Sequence, residues 1–323
     1  MILGCILVGV SYWYFSPIPK SYLIKKAFEG RAFVPSAHYH QALQKTTMVK
    51  DIHYYSKFPS GTLDIVYPKN RPKKTPIIFW VHGGGFVGGD KTNITGYAVE
   101  LAAHGYIMVN INYALAPKNI YPTPVRQLGE AYMFIKTHAR KYNVQSNHVY
   151  FAGDSAGAQI VAQFITIQTS EKYAKLMQMK AVVSPATIKG VLLFCGPYHM
   201  PALAQIESKK KIQDFIRTTG WAYLGEKNWE ASSQVQTASI LSHITSQFPD
   251  TFITDGNTGS FEEHGKELAS VLRKKGVFVD SLFFNKNSSG ELTHEFQFKM
   301  NTEAGLVTFN RVLTFLQRKS HSD

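Results

Sequence analysis

The stretch that most constrains the fold is a G-x-S-x-G motif between a predicted strand and a predicted helix. The motif occupies residues 153–157, after the apolar run 148–152 and before the small and apolar residues 158–162. An apolar run of this kind is typical of a buried parallel strand. A serine on such a strand-to-helix turn can project its hydroxyl above the sheet. We therefore predict nucleophilic chemistry at Ser155, the alternative being a tight turn with an ordinary serine.

Strands and helices alternate along most of the remaining chain. An alternating order of this kind predicts an α/β fold with a mostly parallel sheet and helices on both faces. The first two predicted strands, 48–55 and 62–67, pair with each other through a Pro-Ser-Gly turn. The later strands are predicted at 77–82, 107–112, 191–195, 251–254 and 278–284, and the helices at 92–103, 123–142, 261–275 and 303–318.

Composition indicates a single large folded domain and limits the kinds of binding partner to expect. The chain has 323 residues, of which 44% are hydrophobic, and a formal net charge of +13. This positive charge favours anionic surfaces, but the basic residues are scattered and no nucleic-acid-binding motif is present, so we expect no nucleic-acid partner. Cys5 lies in an apolar leader and Cys195 in a predicted core strand. We therefore expect neither a disulfide nor a metal site.

The N-terminal segment predicts attachment to a membrane. Residues 2–15 are almost wholly apolar and end in a run of aromatic residues, and no charged side chain precedes them. The run is short for a membrane-spanning helix, but the aromatic end resembles an interfacial belt. We predict an anchor at residues 1–19, and the alternative is a helix packed on the domain. The lysines after the segment favour a cytoplasmic domain, but an exported one is equally open, so the side of the membrane is unknown.

A His-Gly-Gly-Gly motif follows the strand predicted at 77–82. Glycines at this position allow backbone amides to converge on one point, where the negative charge of a tetrahedral intermediate can be stabilised. We predict that the amides of Gly83, Gly84 and Ala156 form such an oxyanion hole. In this interpretation His82 braces the loop rather than acting as a base. Asp154 holds neighbouring groups of the loop in place.

The same glycines also satisfy a dinucleotide-binding fingerprint. Gly83, Gly85 and Gly88 have the G-x-G-x-x-G spacing and lie between a strand and a helix. A dinucleotide site also needs an acidic residue at the end of the next strand, to bind the ribose. The chain has Asn110 and Asn112 in that region, so we expect no nucleotide cofactor.

Taken together, the motifs resemble the hormone-sensitive-lipase-like carboxylesterases of the α/β-hydrolases. The resemblance implies serine hydrolysis of carboxylic esters without a cofactor. It also implies an α/β-hydrolase domain over 20–323, with a helical cap built from about 20–47 and 197–235. The matching motifs lie at 82–86, 112–117, 121–122, 153–157 and 294–296.

The histidine motif supplies the candidate general base. His294 lies in a loop after the last predicted strand, where the histidine of a catalytic triad hangs over the serine. It is expected to take the proton of Ser155 and return it to the leaving alcohol. The alternative is a histidine on a surface loop.

The acid of the triad is the member on which the chain departs from the family. The family places an aspartate two or three residues after a glycine, and here those positions are Thr258 and Gly259. Asp255 lies just before that glycine, at the end of a predicted strand, and a modest shift of the loop could bring it to the histidine. Glu262 or Glu263 at the start of the next helix could substitute. A chain without any acid would be a weak enzyme or a binding module.

These observations predict a serine esterase with an acyl-enzyme intermediate. The expected substrate is an ester with a small or medium acyl group, or an acetylated polymer if the domain faces outward. One alternative is a membrane-attached binding module on a degenerate hydrolase fold. Another is an amidase or peptidase of the same fold.

Overall fold

The described residues form one eight-stranded sheet with helices around it, in agreement with the predicted α/β fold. The computed structural model describes residues 12–30, 33–72, 75–145, 147–206 and 210–320. The strands are β1 (Thr46–His53), β2 (Thr62–Pro68), β3 (Ile77–Val81), β4 (Ile107–Ile111), β5 (Val149–Asp154), β6 (Ile188–Phe194), β7 (Thr251–Asp255) and β8 (Val279–Phe283).

The order of the strands is β1-β2-β4-β3-β5-β6-β7-β8. The β1–β2 and β2–β4 pairs are antiparallel, and every pair from β4 to β8 is parallel. The carboxyl ends of the parallel strands therefore meet at one edge of the sheet. This is the edge at which open α/β sheets bind their ligands.

Helices join the strands and cover the sheet. Among the described residues, short 3-10 turns lie at Lys91–Ile94, Pro185–Thr187, Trp229–Ala231 and Phe296–Phe298. The α-helices are α1 (Ile18–Phe28), α2 (Tyr39–Gln44), α3 (Thr95–Ala103), α4 (Thr123–Thr137), α5 (Ala156–Thr169), α6 (Glu171–Leu176), α7 (Met200–Leu203), α8 (Lys210–Leu224), α9 (Ser233–Ala238), α10 (Glu262–Lys274), α11 (Lys286–Ser289) and α12 (Glu303–Ser320).

The core consists of two apolar layers, one on each face of the sheet. Successive side chains of a strand point to opposite faces, and β3 follows this rule: Phe79 joins one layer and its neighbour Trp80 joins the other. Apolar side chains of α4, α5 and α10 complete the first layer, and those of α3 and α12 complete the second. Burial on both faces explains why the central strands have continuous apolar sequences.

Two predicted helices differ from the observed ones. The helix predicted over 123–142 ends at Thr137, and the chain continues in turns. The prediction was too long because Tyr142, in these turns, still packs against the core. The apolar spacing thus persists beyond the helix. The helix predicted over 92–103 begins as a 3-10 turn, in which the side chain of Asp90 accepts a hydrogen bond from the Thr92 amide at 2.9 Å.

The predicted N-terminal anchor lies largely outside the described residues. Residues 1–11 are not described, residues 12–15 are helical, and α1 follows. The side chains of Tyr14 and Phe15 are exposed, at 64% and 76%. Across the described ranges, no helix is both long and apolar enough to cross a membrane.

Candidate active site

Ser155 lies on the sharp turn between β5 and α5 that the G-x-S-x-G motif predicts. Its backbone has φ of 51° and ψ of −120°, a conformation that few non-glycine residues adopt. The turn requires a glycine two residues later, because a Cβ on Gly157 would lie 2.0 Å from the Val81 carbonyl oxygen. This close approach of β3 and α5 holds Ser155 at the carboxyl edge of the sheet, with 8% of its surface exposed.

The glycine loop after β3 passes beside the serine. Gly84 has φ of +118°, and a Cβ there would lie 2.2 Å from the carbonyl oxygen of Gly88. Only glycine fits this position without displacing backbone. Within the described part of the chain, no acceptor hydrogen-bonds the Gly84 amide. The amide of Ala156, in the first turn of α5, has no acceptor within its own helix, as is usual for a helix start.

The Gly83 amide is not available for the predicted oxyanion hole, which corrects that part of the prediction. It donates a hydrogen bond of 2.8 Å to Oδ2 of Asp154. The other carboxylate oxygen of Asp154 accepts a hydrogen bond of 2.7 Å from Nε1 of Trp80. Asp154 thus ties the glycine loop to β3, which is the structural role expected for it.

A second carboxyl group faces Asp154. Burial, followed by the charge of Glu295, raises the pKa of Asp154 well above its ordinary value. Two neighbouring carboxylates repel each other, so this contact opposes the ionisation of Asp154. Glu295 has φ of 59°, in the left-handed region, and directly follows His294.

The buried ring of His82 contacts the same glycine loop. Its ring is buried and stacks on Tyr113, with ring centroids 4.5 Å apart. Its Nδ1 lies 2.7 Å from the Gly83 carbonyl oxygen. Because burial lowers the pKa of His82, the ring is neutral at pH 7 and Nδ1–H donates to that carbonyl.

The structure brings His294 to Ser155 across 139 residues of sequence. Nε2 of His294 lies 2.9 Å from Oγ of Ser155. The ring packs edge-on against Phe261, with centroids 5.4 Å apart. A neutral imidazole at this distance can accept the serine proton, which is the geometry of a nucleophile with its general base.

Asp255 lies close to His294, but another residue stands between them. Oγ of Ser260 lies 2.7 Å from Nδ1 of His294 and donates a hydrogen bond to Oδ1 of Asp255. Oδ1 also accepts a hydrogen bond of 2.7 Å from the Gly256 amide. Burial raises the pKa of Asp255 to about 7. The acid therefore reaches the histidine through Ser260, which the sequence analysis missed.

The two glutamates considered as substitute acids pair with a lysine of their own helix. Both lie in the first turn of α10, where Glu262 pairs with Lys266 at 3.3 Å and Glu263 pairs with the same lysine at 2.9 Å. An i, i+3 or i, i+4 ion pair on a helix surface explains these positions without any catalytic role. Asp255 is therefore the acid that the structure associates with the histidine.

One group of potential metal ligands overlaps these residues. Ligand atoms of Cys195, Asp255 and His294 all lie within 4.8 Å of one another. Burial raises the pKa of the Cys195 thiol well above its ordinary value. A thiol binds metals as a thiolate, so this burial opposes ligation. The Ser260 hydroxyl also lies in contact with both Asp255 and His294, which leaves no reason to assign a metal here.

Two cavities flank the Ser155–His294 pair. One cavity, of about 390 Å³, is lined by both residues and by a set of apolar side chains. Its apolar residues are Phe28 of α1, Ile206, Ile212, Phe215 and Ile216 near or in α8, and Phe261. The other, of about 210 Å³, lies between the glycine loop and His294, and includes Asp154 and Glu295.

Comparison with known proteins finds a matching family model and relatives that are named as hydrolases or esterases. The BD-FAE family model matches residues 63–264. A putative alpha/beta hydrolase of Acanthamoeba polyphaga mimivirus is 25% identical over 162 residues, which cover 49% of this chain and 46% of that protein. An esterase of Fusarium pseudograminearum is 23% identical over 214 residues, covering 64% of this chain and 62% of its own. The chain thus spans about half to under two thirds of the length of these relatives.

Solved structures confirm the α/β-hydrolase fold. Esterase B from Lactobacillus rhamnosis has a TM-score of 0.75 at 19% identity, over 99% of this chain and 96% of that one. A bacterial heroin esterase has a TM-score of 0.67 at 19% identity, over 94% and 90% of the two chains. These matches extend the fold over nearly the whole chain, and with the family match they confirm the predicted resemblance.

Proposed function

The chain belongs to the BD-FAE family, and on that premise we propose that it is a serine hydrolase that cleaves carboxylic esters. The observation that carries this proposal is the hydrogen-bond distance of 2.9 Å between Nε2 of His294 and Oγ of Ser155, at a strained strand-to-helix turn. The esterases among its relatives and structural neighbours support the same class of reaction. No cofactor is needed for this chemistry.

The reaction follows from the positions of the residues. Ser155 attacks the acyl carbonyl while His294 takes its proton, and an acyl-enzyme forms when the histidine protonates the leaving alcohol. Water then attacks the acyl-enzyme with the same histidine as base. Asp255 keeps the imidazole in the tautomer that leaves Nε2 free to accept the proton.

The negative charge of the tetrahedral intermediate needs donors at the edge of the sheet. We assign this role to the amides of Gly84 and Ala156, because the Gly83 amide is already bonded to Asp154. Removing one donor of such a pair lowers kcat by about 10²–10³-fold in comparable enzymes.

The apolar cavity indicates the acyl group. A volume of about 390 Å³ lies toward the small end of ordinary ligand pockets. Its lining is mostly apolar, with Lys211 also at the wall, and this favours a small or medium acyl chain. An acetylated polymer remains a second candidate substrate, because an acetyl group fits the same cavity.

We assign a cap over this cavity to the segments at about 20–47 and 197–235, within a hydrolase domain at 20–323. Phe28 of α1 and Phe215 of α8 contact each other, with ring centroids 6.2 Å apart, and both line the cavity. The two segments therefore shield the bound acyl chain from water. A membrane anchor at residues 1–19 stays a prediction from the sequence.

Hydrolysis of p-nitrophenyl acetate, butyrate and octanoate by the full chain tests this proposal. We expect turnover that is fastest for the shorter esters and absent in Ser155→Ala. Matched amide substrates should react more slowly; faster amide hydrolysis would indicate a peptidase or amidase. A folded wild-type chain without activity toward any ester would favour the binding module.

A further inference from the structure

The contacts between Asp255 and His294 differ from those of the usual catalytic triad. In the usual triad the carboxylate accepts a hydrogen bond directly from Nδ1–H of the histidine. Here Oγ of Ser260 lies at hydrogen-bond distance from Nδ1 of His294, at 2.7 Å. The same Oγ is in hydrogen-bond contact with the Asp255 carboxylate.

We propose that Ser260 is a positioning residue that couples Asp255 to His294, so that the site works as a chain of four residues, Ser155–His294–Ser260–Asp255. This inference rests on the proposed esterase function. It concerns the element that orients the base, and not the identity of the nucleophile.

The directions of the hydrogen bonds follow from the chemistry. Nε2 of His294 must be free to accept the Ser155 proton, so the ring hydrogen sits on Nδ1 and is donated to Oγ of Ser260. The Ser260 hydroxyl then has its own hydrogen left to donate, and an ionised Asp255 is the acceptor in contact with it. No proton crosses Ser260 in this scheme. The serine proton moves only to Nε2 and then to the leaving alcohol.

The backbone at Gly259 disfavours a carboxylate at one of the two family positions for the acid. Gly259, one of the two family positions for the acid, has φ of +61°, which disfavours side chains. Asp255 lies four residues earlier, at the end of β7, with 1% of its surface exposed. The distance between that buried carboxylate and the imidazole is the gap that the Ser260 hydroxyl fills.

Ser260 is held in place by contacts between its loop and the loop of His294. The Thr258 amide donates to the Leu292 carbonyl at 3.1 Å, and the Leu292 amide donates to Oδ1 of Asn257 at 2.9 Å. The side-chain amide of Asn257 donates in turn to the Gly290 carbonyl at 2.9 Å. The two loops are thus bonded to each other just before the Ser260–His294 contact in both segments.

This arrangement predicts a particular pH dependence. When Asp255 takes up a proton, the Ser260 hydroxyl loses its charged acceptor and can donate to Nδ1 of His294 instead. The ring hydrogen then moves to Nε2, where it blocks the general base. The other titratable groups that act on Asp255 are Cys195, Tyr198 and Glu262. Because burial, the largest of these effects, raises the pKa of Asp255 to about 7, this loss falls in the neutral range.

The test measures kcat and KM for p-nitrophenyl butyrate with Ser260→Ala, Ser260→Thr and the control Ser184→Ala, which removes an exposed hydroxyl near the start of β6. We expect Ser260→Ala to lower kcat by about 10²-fold or more with little change in KM. Ser260→Thr keeps the hydroxyl and should restore most of the rate. Ser184→Ala should behave as the wild type.

A double variant distinguishes a chain from two independent contacts. If Asp255 acts through Ser260, Asp255→Asn combined with Ser260→Ala should cost no more than the larger single loss. Multiplied losses, or a wild-type kcat in Ser260→Ala, would overturn the coupling while leaving the esterase function intact.

A measurement that does not depend on catalytic turnover distinguishes the Ser260 proposal from the esterase proposal. The proton NMR resonance of Nδ1–H of His294 should shift or disappear in Ser260→Ala and stay in place in Ser184→Ala. If the folded wild type hydrolyses no ester, the esterase proposal fails, and this resonance still decides whether Ser260 bonds the histidine. An unchanged resonance in Ser260→Ala would contradict the inference.

Discussion

The two halves of the site are built in different ways. On one side, Ser155 and the glycine loop rely on backbone geometry: a strained serine, a left-handed Gly84 and the close packing of Gly157 on β3. On the other side, the histidine is oriented by side chains of loops that follow β7 and β8. The two sides meet at the Ser155–His294 hydrogen bond and at the facing carboxyl groups of Asp154 and Glu295.

This difference indicates which part of such a site tolerates amino-acid substitution. A backbone device needs specific glycines, because an added Cβ collides with main-chain atoms that cannot move aside. A side-chain device needs only a polar atom at the right point, and more than one residue type can supply it. The acid side can therefore depart from the family pattern while the glycine side keeps it.

The largest expected effect comes from removing the groups at the junction. Ser155→Ala and His294→Ala should each lower kcat by something on the order of 10⁶-fold, because neither residue works without the other. The double variant should be no worse than either single one. Steady-state rates with p-nitrophenyl butyrate check this, and independent, multiplying losses would mean that the two residues do not form one unit.

The next effect tests the acid side and separates activity from stability. Asp255→Asn should lower kcat by about 10⁴-fold through the wrong histidine tautomer. Folding raises the pKa of Asp255 from 3.8 to about 7, so this carboxyl contributes stability at low pH that is lost as the pH rises through 7. Asp255→Asn should therefore unfold at a higher temperature than the wild type at alkaline pH.

Thermal unfolding below and above neutral pH provides that comparison. The gain in Tm of Asp255→Asn over the wild type should grow with pH. A variant that loses both activity and stability at alkaline pH would instead make Asp255 a structural residue.

A single Cβ added to the glycine loop should also lower the rate of hydrolysis. Gly84→Ala should lower kcat by about 10²–10³-fold, because the added atom displaces the loop that carries an oxyanion donor. Gly105→Ala is the matched control: Gly105 also has a positive φ, of +97°, but nothing lies within 4 Å of its Cβ position. Equal losses in the two variants would show that backbone strain alone, rather than the loop position, lowers the rate.

The smallest effect concerns the cavity. Ile212→Ala in α8 should raise the ratio of octanoate to acetate hydrolysis by about 10-fold, because it lengthens the apolar cavity without touching the reacting groups. Arg217→Ala, at an exposed position on the same helix, should leave the ratio unchanged. An unchanged ratio in Ile212→Ala would place the acyl chain elsewhere.

The sequence alone predicted the mostly parallel sheet and the strand-to-helix turn that carries Ser155. Strand β3 was predicted within one residue, because its apolar residues are buried on both faces and a glycine loop follows it. The motif spacing also identified Ser155 and His294, which lie 2.9 Å apart.

What the sequence did not reveal depends on side-chain contacts between distant loops. Ser260 carries no motif of its own, and the only signal was a glycine at one of the family positions for the acid with a hydroxyl residue beside it. The loss of the Gly83 amide to Asp154 was also hidden, because the motif shows that the loop turns but not which amides it leaves free. Both points required the positions of atoms from separate strands.

Labelling with a fluorophosphonate tests the central claim most directly. The account predicts one phosphonyl group per chain, located on Ser155 by mass spectrometry of the labelled peptide, and no labelling in folded Ser155→Ala or His294→Ala. A folded wild type that does not react, or a label on any other residue, would contradict the claim that Ser155 is a nucleophile activated by His294.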